Sequence, residues 1–79
     1  MEISRVDFYS GNKGQEYPKK IHTSSGTIIV NRIIETKLEE DFHSRERNKV
    51  FVFLSQEKDF YQLKVGRGFC ELKKLKAKD

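Results

Sequence analysis

Apolar side chains recur at every second position along much of this chain, the period of an extended strand with one buried face. Val6 and Phe8 alternate with polar neighbours, which predicts a strand over residues 3–9. Residues 10–17 contain Gly11, Asn12 and Gly14 and end at Pro18, the composition of a loop. A short second strand over 19–23 carries Ile21 inward. Ser24, Ser25 and Gly26 then supply hairpin turn chemistry. From residue 27 the period is ambiguous. Ile28, Val30, Ile34 and Leu38 fit a strand interrupted by Arg32, whereas Val30, Ile33, Ile34 and Leu38 also fit helical spacing. The β-branched run Ile28, Ile29 and Val30 favours a strand from 27 to about 36, because such side chains lose rotamer freedom in a helix. A helix over 31–42 is the alternative reading.

Residues 39–48 mix both signs of charge without amphipathic pattern and read as an exposed connection. Residues 49–55 are apolar on both faces and predict a central strand. A polar turn at 56–59 precedes residues 60–65, where Tyr61, Leu63 and Val65 share one face. Gly66, Arg67 and Gly68 make the next turn. The last strand covers 69–75, with Cys70 and Leu72 on one face and Phe69 and Leu75 on the other. The expected fold is therefore all-β, or β-rich with one short helix. It is a small antiparallel meander of five to six strands, as a curled sheet or small barrel. Residues 1–75 form the single domain and 76–79 a frayed basic tail. At least Phe8, Phe51 or Phe53, and Phe69 are expected to be buried.

Composition sharpens this picture. Of 79 residues, 35% are charged and 35% hydrophobic, so the core must be thin and every strand must contribute to it. A barrel closes its own edges, while an open sheet would bury one face against a second copy. Cys70 is the one cysteine, which excludes an intrachain disulfide and fits a reducing cytoplasm. The longest apolar run, at 50–54, is far too short to span a bilayer, and the first residues lack the pattern of a secretory signal. The net charge of +4 divides unevenly: residues 1–34 carry +2, residues 35–48 carry −2, and residues 49–79 carry +4. Excess positive charge in the C-terminal part favours a polyanion or an acidic protein surface as partner.

Phe8, Tyr9, Ser10 and Gly11, then Glu16, Pro18 and Ile21, then Gly26 with the β-branched stretch ending near Leu38, form a recognisable series. It resembles a group of short uncharacterised prokaryotic proteins, in which Tyr-Ser-Gly closes a first strand, an acidic residue stands two before a proline, and a later aromatic strand matches residues 60–65. Related segments are similar to ones appended to bacterial DNA-repair polymerases. The resemblance implies a β fold in a nucleic-acid-processing context. This chain departs from the pattern in having no tryptophan, in its connection at 39–48, and in its lysine tail.

Candidate chemistry is sparse. Gly11, Asn12, Lys13 and Gly14 have the spacing of a loop that clamps a nucleotide backbone in one RNA-binding module. That module needs flanking helices, and Pro18 and the preceding strand make a plain loop the better reading. His22, His43 and Cys70 match no zinc spacing, and Glu39 with His43 is too small a set for a metal. No cofactor is expected. Cys70, in an alternating strand, reads as a small hydrophobe, and Glu39, Glu40 and Asp41 as solvated surface. Basic residues interleaved with aromatics carry more weight: Arg5 with Tyr9, Lys58 with Phe60, Lys64 with Tyr61, Arg67 with Phe69. Single-strand binders use cations to track phosphates and rings to stack bases. The expected function is a non-catalytic domain binding single-stranded nucleic acid. Arg5, Lys13, Lys19, Lys20, Lys64, Arg67, Lys73 and Lys74 would meet phosphates, with Tyr9 and Tyr61 as stacking rings. A protein-interaction module or homodimer that pairs a sheet edge with another chain is the alternative.

Overall fold

Two extra residues in one long strand determine how this chain curls. The computed structural model describes residues 2–10 and 16–76 and contains six antiparallel strands in simple meander order. They are β1 (Ile3–Ser10), β2 (Glu16–Thr23), β3 (Gly26–Glu40), β4 (Arg47–Ser55), β5 (Phe60–Gly66) and β6 (Phe69–Leu75). β3 pairs with β2 through Gly26–Ile29 and then leaves it, pairing with β4 from Val30 to Glu40. At that handover the register against β4 slips twice, skipping Asn31 and Ile34. Bulges of this kind bend and twist the strand that carries them, and here they fold one half of the sheet towards the other as a half-barrel.

The same bulges explain why the period of this segment was ambiguous. Val30, Ile33, Thr36 and Leu38 lie opposite Ser55, Phe53, Phe51 and Lys49, so all four share one face despite gaps of three, three and two residues. Gaps of three mimic a helix, but the chain from 31 to 40 is strand throughout. The connection read at 39–48 is shorter than expected, since pairing continues through Glu40 opposite Arg47 and only 41–46 turn. β2 likewise begins at Glu16, inside the stretch read as loop. Pro18 stands opposite Phe8 beside a register slip against β1, and β3 does not pair with β2 at that point, so one ladder alone adjoins it. The loop motif containing Lys13, and residues 77–79 of the expected tail, lie outside the described residues.

The β2–β3 turn is closed by Thr23. Its hydroxyl donates to the Gly26 carbonyl (2.8 Å) and accepts from the Ser25 N–H (3.1 Å), while Gly26 supplies a φ of 134° that a side chain would resist.

The core occupies the concave face, where Ile21, Phe51, Phe53, Tyr61, Leu63 and Leu72 form one cluster, flanked by Ile3, Val6, Ile28, Val30, Ile33 and Val65. Phe53 and Tyr61 stack across β4 and β5 with ring centroids 5.6 Å apart. Val50 on the opposite face is also fully buried. Its cross-strand neighbours are Lys37 and Lys64, and the Lys64–Glu39 ion pair (3.4 Å) bridges β5 to β3 across β4, so lysine stems cover it.

Phe51 and Phe53 are buried as expected, but Phe8 and Phe69 are not, at 37% and 38% exposed. Phe8 sits on the outermost strand. Phe69 lies over Gly66, its partner across the β5–β6 turn, where a ring replaces the side chain that glycine lacks. β1 and β6 approach each other without pairing, and an open groove lined by Ile3, Val6, Phe69 and Cys70 runs between them.

Candidate nucleic-acid interface

The residues expected to contact nucleic acid are distributed over several surfaces. On the outward side of β1 and β2, Arg5 Nε lies 3.0 Å from Asp7 Oδ1, and His22 Nε2 lies 2.9 Å from Asp7 Oδ2. A carboxylate only accepts, so the contact to Asp7 uses an Nε2 proton; Arg5 Nη2 also lies 3.2 Å from Nε2, and Nδ1 faces the Thr27 hydroxyl at 3.2 Å. The hydrogen bond from His22, helped by the charge of Arg5, holds Asp7 below the usual carboxylate range. Arg5 is thus occupied by an internal network that ties β1 to β2 and β3. Lys20 stands opposite Asp7 on β2, and Lys19 is exposed beside it.

Tyr61 is a correction. It is buried to 7% exposure, and a face of its ring is taken by Phe53, so it belongs to the core and offers no base-stacking platform. Tyr9 is 59% exposed at the end of β1. Lys64 is half-buried and paired with Glu39. On the same outer face Lys37 is flanked along β3 by Glu35 and Glu39, and Glu71 stands opposite Lys64. Charges of both signs alternate here and cancel locally. Arg67 is exposed in the β5–β6 turn, away from the other cations of β6.

One corner differs. The β4–β5 turn and the end of β6 together line an open groove of about 520 Å³, formed by Lys58, Asp59, Phe60, Lys74, Leu75 and Lys76. Lys73 is the exposed residue just before them on β6. The turn is held from below by Ser55, buried at 3%, whose hydroxyl accepts from the Asp59 N–H at 3.1 Å and whose carbonyl accepts from the Lys58 N–H at 2.9 Å. This places Lys58 at a φ of 69°, a left-handed conformation that projects its side chain at the tip of the turn. Asp59 is engaged by Lys74 at 3.8 Å, and Phe60 pairs with Leu75 to form the apolar floor. Lys58 and Lys76 were not among the expected phosphate ligands. The signal for Lys58 was its place two residues before Phe60, while Lys76 lay in the stretch read as tail.

Cys70 shares the face of Leu72, as its alternation implied, but stands exposed beside the β1–β6 groove, and partial burial raises its thiol pKa. No group of three or more histidine, cysteine, aspartate or glutamate side chains among the described residues could hold a metal ion. No described helix is long and apolar enough to cross a membrane. No family model, curated protein or solved structure matches this chain.

Proposed function

We propose that this protein is a small non-catalytic β domain of the cytoplasm that binds single-stranded nucleic acid at the corner between the β4–β5 turn and the end of β6. The observation that carries the reading is the gathering of Lys58, Lys74 and Lys76 around a groove floored by Phe60 and Leu75. Asp59 engages Lys74 there at 3.8 Å, while elsewhere Arg5 is paired with Asp7 and Lys64 with Glu39. Lysines on long stems follow a phosphate backbone without reading sequence, and the apolar floor receives a base or sugar face. The unpaired outer edge of β6, carrying Lys73, Lys74 and Lys76 in succession, gives the strand a track to follow.

Fluorescence anisotropy with a labelled oligothymidylate tests this. Three phosphate contacts give a log–log salt slope of about −2 for a single strand. Replacing Lys58, Lys74 and Lys76 together by alanine is expected to flatten that slope, while replacing Lys19 and Lys20 leaves it nearly unchanged. Binding that ignores salt, or none at low salt, overturns the reading. Preference for an acidic peptide over the oligonucleotide assigns the corner to an acidic protein surface.

A further inference from the structure

The outer edge of β3 is a second interaction surface. β2 leaves β3 after Ile29, and from Val30 onwards β3 has β4 on one side and no paired strand on the other among the described residues. Such an edge presents unpaired backbone N–H and C=O groups, and proteins blunt it with charges and bulges. The bulge at Ile34 interrupts it at one point, but residues 35–40 pair regularly with β4. Two large apolar side chains stand exposed along it, Ile34 at 46% and Leu38 at 65%, with the charged pair Glu35 and Lys37 between them.

We propose that this edge pairs with the same edge of a second copy, antiparallel and two-fold symmetric, centred on Thr36. Symmetry limits the choices. In an antiparallel ladder opposed pairs alternate between hydrogen-bonded and non-hydrogen-bonded types, and a two-fold axis makes the pairs i–j and j–i equivalent, so some residue must stand opposite its own copy. Centring on Thr36 sets Glu35 opposite Lys37 twice, with Thr36 facing Thr36, and brings Leu38 beside the bulged Ile34 of the other copy at each end. Centring on Lys37 opposes the two lysines and sets Glu35 against Glu39. Centring on Glu35 opposes the two glutamates. Centring on Leu38 sets Glu35 against Asp41 and runs past the end of the strand. Only the Thr36 register satisfies both the charged and the apolar pairs, and directly opposed pairs of this kind are the unit of sheet stabilisation. Lys37 and Glu35 also disfavour foreign edges that do not present the reversed order. The association is independent of the basic corner, which lies at the other side of the β4–β5–β6 sheet.

Sedimentation velocity on the full chain, from low micromolar to millimolar concentration, reads the assembly. The expected result is a reversible monomer–dimer equilibrium that Glu35→Lys weakens by about tenfold, since two attractive pairs become repulsive. Glu35→Lys combined with Lys37→Glu restores it. The register is read separately in a Cys70→Ser background. Residues opposed in antiparallel strands have Cα atoms within disulfide range, so Thr36→Cys links two copies on oxidation while Lys37→Cys does not. All these positions are exposed, and circular dichroism melting verifies that each variant folds. A monomer throughout the range, a dimer indifferent to Glu35→Lys, or cross-linking by Lys37→Cys in place of Thr36→Cys overturns the proposal.

Discussion

Replacing Phe53 with alanine is expected to lower stability by about 3–5 kcal/mol, the usual cost of truncating a buried aromatic side chain. For a domain of this size that loss is a large share of the folding free energy, which runs near 0.05–0.15 kcal/mol per residue. The expectation rests on position. Phe53 is fully buried, lies opposite Ile33 on one side and Tyr61 on the other, and stacks on the Tyr61 ring. It joins the bent strand to the second half of the sheet, so the cavity left behind opens where the half-barrel curls. Urea unfolding followed by circular dichroism is expected to show the transition at far lower denaturant, or no folded baseline. Phe42 provides the contrast. It is 91% exposed in the turn after β3, and its replacement by alanine should change stability by less than about 0.5 kcal/mol. Equal effects of the two substitutions would contradict the placement of the core.

The second large effect is expected at Gly66, where alanine should cost about 1–3 kcal/mol, the range for forcing volume into a packed site. A Cβ there would overlap the Phe69 ring and lie 2.6 Å from Asn48 Oδ1. That oxygen is buried without a hydrogen-bond partner, so the site has little slack on the polar side. The ring would have to swing outward, exposing the backbone it covers. If this account is right, Gly66→Ala and Phe69→Ala are non-additive, because removing the ring relieves most of the clash. Independent, additive effects in thermal melts would show that the ring does not sit over the glycine.

Both substitutions concern features whose visibility in the sequence differed. Alternation at Tyr61, Leu63 and Leu72, together with the run at 49–55 that is apolar on both faces, was enough to place β4, β5 and β6, because these strands carry no inserted residue. It also placed Tyr61 on the same face as Leu63 and Val65, which was the better guide to its fate than its basic neighbour Lys64. β3 was harder to read. Its two inserted residues shift the inward set to spacings of three, and neither Asn31 nor Ile34 has a chemical mark that distinguishes a bulged residue from a paired one. Phe69 reads as a core ring because nine aromatics among few apolar residues cannot all be spare, and the Gly66 that it covers reads as part of the turn. The basic corner was half legible. Lys73 and Lys74 stood out in a lysine-rich stretch, but only the pairing of Phe60 with Leu75 brings Lys58 and Lys76 to one groove across the seventeen residues between them. Conversely, the pairing of Arg5 with Asp7 and His22, and of Lys64 with Glu39, depends on cross-strand register that no local pattern discloses.

The central claim is that the corner between the β4–β5 turn and the end of β6 is where single-stranded nucleic acid sits. Backbone amide shift mapping by NMR tests it most directly, with an unlabelled oligothymidylate titrated into the isotopically labelled protein at low salt. The account predicts saturable shifts confined to Lys58, Asp59 and Phe60 and to Lys73, Lys74, Leu75 and Lys76, fading as salt is added. Shifts centred instead on Arg5, Lys19 and Lys20, or no shifts at all, would contradict it.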